Sequence, residues 1–273
     1  YIIKGGDSPL KDDLLFVTVT TLSCLWLATV LNVVGVGTGK WLQNVGGLGG
    51  YVPGVLVLLA GAYAWFTQPA ANSWVVSDLL PKQTDYDSLN LWVAIAFAYS
   101  GIEVGTIMGG EVENPRRNLP LSILIAAPLI GGLYLLGTGA VLWLVPRQEV
   151  NVVAGFLQAI QIGFTRINPR LGWITPCCAV LYLVSNIGGV GAWLTGPARV
   201  AFAVGLDRYL PSAFGRVHPR WRTPYVAILV QAVLGTILLL CFVAGKGTKV
   251  EQVYLILLSA QVLIYFIPYL YLF

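Results

Sequence analysis

The run Ala96-Phe-Ala-Tyr-Ser-Gly-Ile-Glu-Val-Gly-Thr-Ile-Met-Gly-Gly110 places an ionisable Glu103 and a Ser100-Gly101 pair inside an apolar stretch of membrane-crossing length. Each glycine weakens a helix by about 1 kcal/mol, so the spacing predicts a helix broken at Ser100-Gly101. A break frees backbone N–H and C=O groups that lipid cannot satisfy but a bound solute can. The positive end of the second half-helix would favour a carboxylate. A charged Glu103 within a span costs about 2.5–3.5 kcal/mol on insertion scales and is expected to face a partner or a cavity. It is a candidate proton carrier, and equally a structural carboxyl bonded to backbone freed at the break; the two roles are compatible. Phe97 and Tyr99 precede the break and could close over a ligand, or simply pack.

The second stretch is Ser185-Asn-Ile-Gly-Gly-Val-Gly-Ala-Trp-Leu-Thr-Gly-Pro-Ala-Arg199. Its glycines would let neighbouring helices approach closely. Ser185 and Asn186 offer oxygens within the span. Gly46-Gly-Leu-Gly-Gly50 lacks a following GK[ST] and adjoins an apolar span, which argues against a phosphate loop.

These stretches require a bilayer. Hydrophobic residues make up 57% of the 273 and charged residues 10%, against about 25% charged in an ordinary globular domain. Mean hydropathy is +0.77. That balance excludes a soluble enzyme, a nucleic-acid binder and a disordered chain. The net charge of +4 is spread along the chain and forms no basic tract for nucleic acid. Cys24, Cys177, Cys178 and Cys241 lie in apolar runs without metal-ligand spacing, and His218 is the single histidine. No metal, no cofactor and no catalytic dyad is expected.

Seven segments read as membrane helices, near 14–34, 48–66, 90–110, 121–145, 173–204, 224–244 and 252–273. The segments bearing Lys40, Arg116, Arg117, Arg208, Arg216, Arg220 and Arg222 fall on one side, and their density of positive charge assigns that side to the cytoplasm. The segment 149–163 has apolar residues at helical spacing and is expected to lie in the interface outside. Tyr1 at the start and an apolar run at the end suggest a piece of a longer chain.

Phe97-Ala-Tyr-Ser-Gly-Ile-Glu103 followed by Gly110-Glu-Val-Glu-Asn-Pro-Arg-Arg-Asn-Leu-Pro120 resembles the sixth span and following loop of amino acid–polyamine–organocation permeases. Gly205-Leu-Asp-Arg-Tyr-Leu-Pro211 with Val217-His-Pro-Arg-Trp-Arg-Thr-Pro-Tyr225 resembles their loop between spans eight and nine. Leu31-Asn-Val-Val-Gly35 with Trp41-Leu-Gln-Asn-Val45 is similar to the passage from span four to five, and Ile267-Pro-Tyr-Leu-Tyr271 to span ten. The matches run in order over nearly the whole chain.

The resemblance implies an all-α, polytopic membrane protein with the leucine-transporter fold of inverted five-helix repeats, here incomplete at about seven transmembrane helices. Residues 1–66 would end the first repeat, 67–89 would be an extracellular linker, and 90–273 would be spans six to ten. It further implies substrate contacts at Phe97, Tyr99, Ser100, Gly101, Ile102, Trp193 and Gln261, proton coupling at Glu103, and gates at Phe97 and Tyr269. One departure is Gly50, which stands where many members carry a lysine in span five that is thought to replace a sodium ion. That disfavours lysine-based proton coupling and favours exchange or coupling through Glu103.

The implied function is secondary active amino acid transport by alternating access, in the plasma membrane. Its partners would be an amino acid or a polyamine, protons and the lipid bilayer. A membrane-embedded enzyme would need a nucleophile–base pair or paired carboxylates, and Glu103 stands alone within the spans. A channel or a receptor that binds without transporting would use the same fold.

Overall fold

The computed structural model describes residues 13–73, 86–101, 104–107, 109–151, 154–244 and 250–271. Among them the helices run, in chain order, α1 (Leu14–Val34), α2 (Val36–Thr67), α3 (Tyr86–Ala98), α4 (Val104–Ile107), α5 (Pro115–Leu144), α6 (Gly155–Ile167), α7 (Ile174–Leu206), α8 (Tyr225–Val243) and α9 (Val250–Leu270). Short 3-10 turns join several of them, and the described residues hold no strand. The chain is all-α. Leu14–Val34, Gln43–Thr67, Pro115–Leu144, Pro169–Leu206 and Tyr225–Val243 are long and apolar enough to cross a membrane. The last expected span appears as the shorter apolar helix Gln252–Pro268. The third is divided between α3 and α4, so no single helix there has spanning length.

Local chemistry sets the helix ends. The Asp13 carboxylate accepts from the backbone N–H of Leu15 and Phe16 at 3.0 and 3.2 Å, capping α1. Within α1, the hydroxyls of Thr18, Thr20, Ser23 and Thr29 donate to carbonyls four residues back at 2.6–2.8 Å. Such back-bonding removes the cost of placing a hydroxyl in an apolar medium. Pro115 begins α5, where its missing N–H costs nothing.

Asn72 closes the other end of α5. Its amide donates to the carbonyls of Leu142 and Val145, while its oxygen accepts from Arg147 N at 2.9 Å. These carbonyls belong to the last turn, which has no intrahelical donors. Asn72→Ala is expected to lower stability by about 1–2 kcal/mol. The thermal unfolding midpoint in detergent checks this; an unchanged midpoint would mean that water replaces the cap.

The connection bearing Lys40, expected between the spans near 14–34 and 48–66, contains almost no loop. Gly35 alone separates α1 from α2, at φ +121°, a backbone region that glycine adopts without penalty. Three glycines of α2, Gly46, Gly49 and Gly50, lie almost against α7. A Cβ on Gly46 would come 3.0 Å from Gly188 Cα. One on Gly49 would come 2.6 Å from the Leu181 carbonyl oxygen, and one on Gly50 2.7 Å from Ser185 Oγ. The buried positions 46, 49, 53, 57, 60 and 64 continue this stripe along α2 at helical spacing.

Further along α2 the stripe meets α5 and α6. Val57, Ala60 and Ala64 pack with Ala140, Leu144, Ala159, Ile160 and Phe164 in one buried cluster. The expected surface helix is thus α6, displaced to Gly155–Ile167 and buried on one face: Gly163 faces Ala60 Cβ and Leu144. Its apolar side is covered by protein, where an interfacial helix would have covered it with lipid.

Polar cross-links tie α1 into the bundle. The Thr195 hydroxyl of α7 lies 2.6 Å from Asn32 Oδ1, and Trp26 Nε1 of α1 donates to Thr236 Oγ1 of α8 at 3.2 Å. Thr223 Oγ1, at the end of the α7–α8 loop, donates to the Val33 carbonyl at 2.7 Å. The α1–α2 turn and the α7–α8 loop therefore occupy the same end of the bundle, in agreement with the side assignment from charge.

Candidate functional site

The helix break is visible in the backbone. After Ala98 the chain tightens into bonds three residues apart, Tyr99 N donating to Ala96 O at 3.2 Å and Ser100 N to Phe97 O at 2.9 Å. Gly101 then takes φ +103°, which an L side chain rarely adopts. Helix resumes at Val104. Ile102 and Glu103 lie outside the described residues. One carbonyl freed at the end of α3 finds a partner: the Tyr134 hydroxyl of α5 donates to Ala98 O at 3.0 Å.

Trp193 of α7 stands directly against the break. A Cβ on Gly101 would lie 3.3 Å from Trp193 Cζ2. Trp193 also lines a cavity of about 470 Å³, together with Tyr182, Ser185, Asn186, Gly189, Val190 and Leu194 of α7 and Gln261 of α9. The α7 positions 182, 185, 186, 189, 190, 193 and 194 form one helical stripe. The polar groups offered are the Ser185 hydroxyl and the Asn186 and Gln261 amides; no charged side chain is among the lining residues. Asn186 Nδ2 donates to Tyr182 O at 2.7 Å, which leaves its oxygen for another donor.

The structure thus brings Gly101, Trp193 and Gln261 into one region and separates the aromatics before the break. Phe97 meets Tyr265 of α9 edge to face at 5.2 Å, one helical turn past Gln261. Tyr99 turns to α5, its ring 5.1 Å from that of Tyr134. Neither lines the cavity. Ser100 lies in the turn itself. Tyr269 belongs to α9, but its side chain lies outside the described residues.

Sequence reasoning missed Tyr182, Tyr134 and Tyr265. Tyr182 had a signal, since it begins the stripe that runs through Ser185 and Asn186 to Trp193. Tyr134 and Tyr265 had none, because each is defined by a partner on a distant helix. Of the glycines read as packing residues, Gly188 does pack, facing Gly46, whereas Gly189 has no neighbour within 4 Å of a built Cβ and opens the cavity instead.

A family model described as "Amino acid permease" matches residues 10–273. The chain is 30% identical over 245 residues to an uncharacterized transporter of Legionella pneumophila, covering 89% of this chain and 52% of that protein. It is 26% identical over 280 residues to the glutamate/gamma-aminobutyrate antiporter of Lactococcus lactis subsp. lactis, covering 99% of this chain and 55% of the relative. The corresponding antiporter of Lactococcus lactis subsp. cremoris is 27% identical over 277 residues, covering 98% and 54%. The chain spans about half the length of the curated relatives it matches.

Proposed function

Because the chain belongs to the amino acid permease family and is a multi-pass protein of the plasma membrane, we propose that the protein carrying it is a secondary active amino acid transporter working by alternating access. The observation that carries this reading is the helix broken over 99–101, with Trp193 set against Gly101 at the edge of a cavity that offers one serine hydroxyl and two amides. A carrier must satisfy a solute's polar groups in transit, and a broken helix supplies backbone for that purpose. The chemistry is binding and release, with no covalent step. Ser100, Gly101 and Ile102 would hold the solute, with Trp193 and Gln261 beside them. Phe97 would close one side and Tyr269 the other.

Gly50 and the antiporter relatives both favour exchange over lysine-based symport. At Gly50 the space a side chain would need is taken by Ser185 Oγ, 2.7 Å from a built Cβ. Proton coupling, if present, would pass through Glu103. The relatives' printed substrates make glutamate and gamma-aminobutyrate the first pair to test. Hydroxyl and amide groups can pair with both ends of a zwitterion without adding net charge. A polyamine, which carboxylates would hold better, is the alternative substrate, and a non-transporting amino acid receptor is the alternative activity.

Phe97→Ala is expected to lower initial uptake about tenfold, equivalent to about 1.4 kcal/mol, through loss of its aromatic pair and of closure. Glu103→Gln is expected to abolish any pH dependence of uptake. Both are read by labelled amino acid uptake in proteoliposomes containing the protein that carries this chain. Wild-type uptake in both variants at every pH would remove these site assignments.

A further inference from the structure

The α7–α8 loop is held by its own packing and hydrogen bonds. The 3-10 turn Ser212–Gly215 packs on the end of α7, where a Cβ on Gly205 would meet Phe214 Cβ at 2.7 Å and Gly215 N at 2.9 Å. Phe214 in turn packs against buried residues of α7 and α8. His218 organises the rest. Its Nδ1 accepts from the backbone N–H of Arg220 and Trp221 at 3.2 and 3.3 Å, and its ring stacks on Trp221 at 4.2 Å. The His218 backbone N–H donates to Thr223 O at 2.8 Å, and Thr223 is pinned to the end of α1 through Val33 O.

This hydrogen-bonded loop displays Arg208, Arg216, Arg220 and Arg222, all exposed. None of the four has an ion-pair partner among the described residues. Asp207 is the one acidic residue between Gly205 and Pro224. Tyr209 and Trp221 are exposed beside the arginines, at 85% and 36% of their full area. The loop joins two helices of membrane-spanning length, so it stands at headgroup depth. Aromatic side chains at that depth partition into the interface, and clustered arginines there attract acidic headgroups. Guanidinium groups pair with phosphate in a bidentate fork that lysine cannot form. A prefolded loop loses little freedom on making such contacts.

We propose that the folded loop over 205–224 is a lipid-binding surface that holds acidic phospholipid headgroups through Arg208, Arg216, Arg220 and Arg222. The site serves the membrane environment of the protein and is separate from the broken helix. It would hold whether or not the substrate reading does.

The test places the protein that carries this chain in nanodiscs of phosphatidylcholine mixed with phosphatidylglycerol. Native mass spectrometry then reads the lipids retained. Wild type is expected to enrich phosphatidylglycerol, and added salt to reduce that enrichment. Arg216→Gln with Arg220→Gln should weaken it by about fivefold per arginine removed, while Arg216→Lys with Arg220→Lys, which keeps the charge but not the bidentate fork, should fall between the glutamine variant and wild type. Thermal unfolding in phosphatidylcholine alone should match wild type for both variants. Equal enrichment in wild type and the glutamine variant would overturn the proposal. So would a glutamine variant that unfolds early in phosphatidylcholine alone, since the arginines would then be structural. Inorganic phosphate that displaces the lipid at buffer concentration would also overturn it, by showing a free-anion site.

Discussion

Gly101→Ala should reduce amino acid uptake at least tenfold while leaving expression and membrane insertion intact. Two independent costs act at this position. The backbone sits at φ +103°, and an L side chain in the left-handed region pays about 1–2 kcal/mol. The new Cβ would also lie 3.3 Å from Trp193 Cζ2, so relief requires the indole to move, and the indole lines the cavity. A helix can escape the strain by re-forming through 99–101, which would withdraw the backbone groups a solute needs. Gly105 provides the control. It lies just past the break and has nothing within 4 Å of a built Cβ, so Gly105→Ala should keep near-normal uptake. Equal losses at both positions would mean that the broken turn is not special.

The second large effect is a reversal of sign within one run of glycines. Gly47→Ala should be neutral or stabilising by up to about 1 kcal/mol, because the position is open and alanine is the better helix former. Gly49→Ala should be destabilising by about 1–3 kcal/mol. Its Cβ would stand 2.6 Å from the Leu181 carbonyl oxygen, a backbone atom that cannot rotate away. The propensity gain is smaller than that clash, so the clash decides. Thermal midpoints of the two variants in one detergent give the comparison directly. A rise for both would mean that α2 and α7 part easily, and the seam would lose its place in this account.

The sequence made some of this legible and hid the rest for physical reasons. Apolar length is a one-dimensional property, so α1, α7 and α8 could be placed to within about two residues, whereas α5 begins at Pro115, ahead of the expected start near 121. The break at Ser100-Gly101 was also readable, because glycine and serine inside a span weaken the helix locally. The span expected near 48–66 starts earlier, at Val36, because Gly46, Gly49 and Gly50 pack against α7, and tertiary packing overrides a weak propensity. The same holds for α6, whose apolar face is consistent with either lipid or protein as its cover. Trp193 and Gln261, expected from the family resemblance, line the cavity beside the break. That Tyr99 would turn to Tyr134 and Phe97 to Tyr265 depends on how α5 and α9 pack around α3, which no local pattern records.

Transport by the protein that carries this chain is read most directly by counterflow. Proteoliposomes are loaded with unlabelled amino acid or left empty, and entry of labelled amino acid is followed with and without a pH gradient. Labelled amino acid is expected to enter loaded vesicles with little dependence on the pH gradient, and that entry is expected to be lost in the Gly101→Ala variant. No amino acid movement under any of these conditions would contradict amino acid transport.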